Sequence, residues 1–88
     1  MKKSIVIVNS ACGLHARPAS MLVSTAMKFS SDIIIKKNDK TANCKSILSV
    51  LSIGASNGDE LEIVIEGQDE ADAFNTIKDL FDLRIANA

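Results

Sequence analysis

"ELEIVIE", residues 60–66, alternates in period two: Leu61, Ile63 and Ile65 fall on one face, and Glu62, Val64 and Glu66 on the other. That alternation describes a strand with one face buried and one in water. Strands of this kind pair antiparallel in a sheet covered on a single side. Three further stretches fit the same sheet. "KSIVIV", at about residues 3–8, is rich in β-branched side chains and reads as the first strand. "DIIIKK" (32–37) and "KTAN" (40–43) flank Asn38-Asp39, a two-residue hairpin signal. Asn57-Gly58 marks a turn just before the strand quoted above.

Between the strands the period changes. Ala19, Leu22, Val23, Ala26 and Met27 recur at three- and four-residue steps, which predicts a helix from about His15 or Ala16 to Lys28. Pro18 is tolerated there only because it falls in the first turn. "SILSVLSIG" predicts a short helix, with Ser46 at its N-cap and Gly54 at its stop. A last helix over about 69–84 opens on Asp69, Glu70 and Asp72 and carries the stripe Ala73, Phe74, Ile77, Leu80 and Phe81, with Arg84 near its end. The order strand, helix, strand, strand, helix, strand, helix is α+β.

The 88 residues, 47% of them hydrophobic, suit one domain spanning 1–88. Aliphatic side chains with Phe29, Phe74 and Phe81 must fill its interior, since Trp and Tyr are absent. A net charge of −1 argues against a nucleic-acid binder working by phosphate neutralisation. Two cysteines, Cys12 and Cys44, make no disulfide framework and suit the reducing cytoplasm. "MKKSIVIVNSAC" imitates an export signal, but the run Ile5-Val6-Ile7-Val8 is shorter than the roughly 7–15 apolar residues such a signal needs. No stretch is long enough for membrane insertion.

The chemistry gathers in "GLHARPAS", residues 13–20. Its His15 is the chain's only histidine and stands at the predicted start of a helix. The first N–H groups of a helix lack internal partners and carry partial positive charge, which makes them an anion site. Arg17 adds a permanent charge shaped to grip phosphate oxygens. A lone imidazole with no second histidine suits a covalent carrier of an anion better than an acid–base enzyme. No Gly-rich phosphate loop precedes a Lys-Ser or Lys-Thr, so a phosphoryl donor must come from another protein. A lone polar loop histidine with no role is the plainer reading of the residue taken alone. A Cys-x-x-His pair of Cys12 and His15, joined by Cys44, would offer a metal at most three ligands where structural zinc wants four, so no metal is expected.

At these residues the chain resembles HPr, the histidine-containing phosphocarrier family of the bacterial sugar phosphotransferase system. "GLHARPAS" is similar to the family's active-site motif, "KSILSVLSIG" to its second signature, and the spacing from His15 to Ser46 also agrees. The resemblance covers essentially the whole chain. It implies an open-faced β-sandwich of four antiparallel strands with three helices on one face. It implies that His15 accepts phosphate on Nδ1 from phosphorylated Enzyme I and passes it to EIIA domains, with Arg17 and the N–H groups of Ala16 and Arg17 holding the phosphoryl group. The chain would be a carrier and not an enzyme, a monomer, and free of cofactors. Cys12 departs from the family, which usually has a small polar residue there, and Ser49 replaces a common Gly.

Ser46 is an N-cap on its residues alone. The resemblance adds phosphorylation there by HPr kinase/phosphorylase, followed by binding to a carbon catabolite regulator. The second helix has more apolar residues than one face buries: Val50 and Ile53 are expected inside, and Leu48, Leu51 and part of Ile47 exposed. With Ser20 and Ser24 of the first helix they would form a docking surface; a fully buried set is the plainer reading. A related carrier in a nitrogen-linked regulatory relay and a plain interaction domain are the rival functions.

Overall fold

The computed structural model describes residues 1–85. Its strands are β1 (Lys2–Ile7), β2 (Asp32–Lys37), β3 (Lys40–Asn43) and β4 (Glu60–Glu66), and its α-helices are α1 (Ala16–Ala26), α2 (Ile47–Ser52) and α3 (Glu70–Asp79). The four strands form one antiparallel sheet in the order β1-β4-β2-β3. The expected α+β architecture, an open sheet with three helices, is the one observed.

The alternation in β4 sets the layers. Leu61, Ile63 and Ile65 are fully buried and join Val6, Ile33 and Ile35 beneath the helices. Burying each such aliphatic side chain contributes about 1.5–3 kcal/mol. Val64, on the other face, is buried as well, contrary to the simple alternation. Its register partners, Lys3 on β1 and Ile34 on β2, flank it on a central strand. On edge strand β1 the same face leaves Ile5 and Ile7 exposed.

Several element ends differ from the sequence reading. The first helix stops at Ala26, short of Lys28, because it tightens: the N–H groups of Lys28 and Phe29 bond three residues back, to Thr25 and Ala26. Met27 is therefore exposed, and Val23 is only partly buried. Helix α2 likewise ends at Ser52, with Ile53 and Gly54 bonding three residues back.

The last helix is not one α-helix over 69–84. After α3 comes a π-helical turn, Leu80–Arg84. An unbroken α-helix would carry the inward stripe from Ile77 to Arg84. The wider turn delays it by one residue, so Ile85 is wholly buried and Arg84 stays in water. Phe81 fills the interior, while Phe29 and Phe74 pack at its margin.

One polar tie crosses from α3 to the segment before β2. Asp69 stands at the helix start, yet its side chain makes no capping bond. Its carboxylate instead accepts from Ser30 N–H (2.9 Å), Ser31 N–H (2.9 Å) and the Ser31 hydroxyl. Gly67 lies so close that a Cβ there would stand 2.5 Å from Ser31 Oγ. The Ser31 hydroxyl and Ser30 N–H hold the Asp69 carboxyl at about 2, below its usual 3.8. A depressed carboxyl stabilises the fold above its unfolded value and loses that contribution as pH falls. Asp69→Asn is therefore expected to lower Tm at pH 7, with the gap from the parent closing between about pH 4 and pH 2. Thermal unfolding across that range checks it; a gap independent of pH would refute it.

Candidate functional site

His15 is the N-cap of α1: its backbone is extended and its carbonyl accepts from Ala19 N–H at 2.9 Å. The imidazole makes no capping hydrogen bond and is partly exposed. Pro18 brings no N–H, and the first turn contains no acid. The N–H groups of Ala16 and Arg17 thus open on the mouth of the helix with neither a capping side chain nor a carboxylate to neutralise them. Arg17 is exposed and in no ion pair among the described residues. The N-cap is thus an imidazole-bearing residue, and an arginine follows in the first turn beside two helix-end amides, a set of groups suited to holding an anion.

The loop that presents His15 is built on a second loop. Gly13 has φ +71°, and a Cβ there would lie 2.5 Å from the carbonyl oxygen of Ala55 and 2.9 Å from Ser56 Cα. No side chain fits this approach. The next N–H, of Leu14, donates to that same Ala55 oxygen at 2.9 Å, and Leu14 itself is buried. Segment 54–59 is fixed in turn. Asp59 Oδ2 accepts from Ser56 N–H at 2.7 Å and pairs with Lys37 Nζ at 2.8 Å, and Lys37 Nζ also donates to the Gly54 carbonyl at 3.0 Å. The Lys37 ammonium and the Ser56 amide keep the Asp59 carboxyl below the usual carboxylate range. Sequence reading missed this underpinning, because nothing local joins Lys37 to Asp59.

Ser46 caps α2, accepting from Ser49 N–H at 3.3 Å, and remains partly exposed. The Ser49 hydroxyl takes the Asn43 N–H at 2.9 Å. Lys45 Nζ reaches the Phe29 carbonyl, just past α1, at 2.8 Å. So the start of α2 adjoins the end of α1, while Ala55, just past α2, adjoins the loop before α1. The two helices run in opposite senses. Ser46 lies at the end of α2 remote from His15, and Leu51 is nearer the His15 end.

The apolar residues of α2 divide as the excess predicted. Val50 is fully buried and Ile53 is 2% exposed, whereas Leu48 is 77% and Leu51 and Ile47 each 37% exposed. Ser20 and Ser24 are exposed on α1. The thiols do not converge: Cys12 is exposed, and Cys44 is in the core, where burial pushes its thiol up to about 12. Among the described residues no three His, Cys, Asp or Glu are grouped to hold a metal, and no helix is long and apolar enough to cross a membrane.

Fold and site together define a small open-faced α+β protein with a single histidine set at a helix mouth. Residues 2–82 match the family model described as the PTS HPr component phosphorylation site. The chain belongs to the HPr family, the phosphocarriers of the phosphotransferase system. It is 39% identical to an HPr from Thermoanaerobacter tengcongensis, with a TM-score of 0.94 and coverage of 100% of this chain and 99% of that one. It is 39% identical to a histidine-containing phosphocarrier protein of Mycoplasma, with a TM-score of 0.90 and coverage of 99% and 100%. Crh, the catabolite repression HPr of Bacillus subtilis, is 34% identical over 93% of this chain and 94% of its own, with a TM-score of 0.75, and is described as a swapped dimer.

Proposed function

We propose that His15 is the phosphoryl acceptor, charged by phosphorylated Enzyme I and discharged to EIIA domains of sugar transporters. The imidazole Nδ1 lone pair attacks phosphorus, the bond to the donor breaks, and a phosphoramidate forms on the ring. Transfer to EIIA reverses the step, so the chain is a carrier that needs partner enzymes and no cofactor, working in the cytoplasm. The observation that carries this reading is the uncapped mouth of α1, where the imidazole leaves the amides of Ala16 and Arg17 unclaimed. Each helix-end contribution is typically about 0.3–1 kcal/mol, up to roughly 2 when partly buried. That holds a dianion without trapping it. Incubation with Enzyme I and phosphoenolpyruvate tests the proposal: an acid-labile, alkali-stable label is expected on His15, and its absence would refute it.

The same reading makes the exposed apolar side of α2, with Ser20 and Ser24, the surface the partners cover. Leu48 is the most exposed of these apolar residues, and Leu48→Asp is expected to raise the KM for Enzyme I with Tm unchanged. Equal transfer kinetics in variant and parent would remove Leu48 from the docking surface.

Ser46 is the regulatory position in this reading, phosphorylated by HPr kinase/phosphorylase. A phosphate there meets the amides it already caps, so the fold is kept while negative charge enters the docking surface and a carbon catabolite regulator gains a handle. Kinase and ATP are expected to label the parent and not Ser46→Ala; an unlabelled parent would rule the site out.

A further inference from the structure

We infer that Lys37 and Asp59 are positioning residues for phosphoryl transfer at His15, acting through the loop beneath it and not by touching the phosphoryl group. The inference builds on the proposed carrier role of His15 and adds to it the device that fixes the ring's place. Neither residue has a hydrogen bond or ion pair to His15 or Arg17, and both lie in other elements: Lys37 ends β2, and Asp59 immediately precedes β4.

Their bonds fall on the two successive peptides that flank Ala55. Lys37 Nζ holds the Gly54 carbonyl on one side of Ala55, and Asp59 Oδ2 holds the Ser56 N–H on the other. The 2.8 Å pair between the two side chains closes the bracket. Backbone bonds anchor its far end: Val8 N–H donates to the Asp59 carbonyl at 2.9 Å and Gly58 N–H to the Val8 carbonyl at 2.7 Å. Between these holds, the Ala55 carbonyl receives Leu14 N–H and crowds Gly13 so closely that only hydrogen fits. The position of that oxygen therefore sets where Leu14 lies, and the next residue is His15.

The pair is also unlike an ordinary surface bridge. Its side chains are only 24% and 31% exposed, and each spends a further bond on the loop backbone. An exposed pair contributes little; one that fixes a carbonyl under a reacting residue can change a rate, since misplacement by about 1 Å can cost a hundredfold.

Lys37→Met and Asp59→Ala test this in the full chain, with parent and His15→Ala as controls. Expected is a roughly ten- to hundredfold fall in the maximal transfer rate, with the KM for Enzyme I unchanged and Lys37→Arg restoring most of the rate. The double variant should be no slower than the worse single one, because either change opens the same bracket. Amide exchange supplies a readout independent of transfer: Leu14 N–H should exchange faster in both variants while Ile63 and Ile65 do not. A labelled parent with variants equal to it in maximal rate would overturn the inference, as would unaltered Leu14 exchange. A parent that takes no label refutes the carrier role instead, and Leu14 exchange still judges the bracket.

Discussion

His15→Ala is expected to take no phosphoryl group from Enzyme I, a loss of at least about a thousandfold, because His15 is the chain's only imidazole and the variant has no other ring nitrogen on which a phosphoramidate can form. The variant should keep the parent's Tm, since the imidazole makes no capping bond and is partly exposed. Arg17→Ala separates holding from accepting. It leaves the acceptor in place and removes charge-assisted hydrogen bonds worth roughly 1.5–3 kcal/mol, so transfer should slow by about ten- to a hundredfold. Label assays with time courses for both variants check this. Label on His15→Ala at the parent's rate would place the acceptor elsewhere.

The second large effect is expected at Gly13→Val. A non-glycine residue at φ +71° costs about 1–3 kcal/mol in backbone strain alone. The added Cβ would also stand 2.5 Å from the Ala55 oxygen, a backbone atom that cannot swing aside. The loop must lift, and the Leu14–Ala55 bond must break. For a chain of this size Tm should fall by about 10 °C or more, and the folded fraction should transfer phosphate poorly because His15 has moved with the loop. Gly58→Ala is the control: Gly58 has φ +91°, but nothing lies within 4 Å of an added Cβ. It should lose stability through backbone strain alone, and so by less than Gly13→Val. Thermal unfolding and transfer rates on both decide; equal Tm losses would show that the close approach at Gly13 has no energetic weight.

How far the sequence reveals this protein depends on whether a feature is local. The strand alternation in Leu61, Ile63 and Ile65, the hairpin at Asn38-Asp39 and the helix start before Pro18 are all local, and the fold repeats them. The division of α2 into buried Val50 and Ile53 and exposed Leu48 and Leu51 was legible too, because one helix face cannot bury five large side chains. Helix ends were less so: the tightened close of α1 and the π-helical turn at Leu80–Arg84 depend on what each turn packs against. The same holds for Asp69, which reads as an acid suited to a helix start and instead ties Ser30 and Ser31 across the fold. His15 and Arg17 could be read directly, being neighbours in a motif. Lys37, Asp59 and Ala55 could not, since only the folded chain brings them under Gly13 and Leu14.

The most direct measurement is a pair of amide spectra of the parent chain, before and after charging by Enzyme I and phosphoenolpyruvate. If the dianion sits on the His15 ring at the open end of α1, the Ala16 and Arg17 amide protons should move downfield more than any others and exchange more slowly. Phosphorus on His15 with those two amides unmoved would contradict the account.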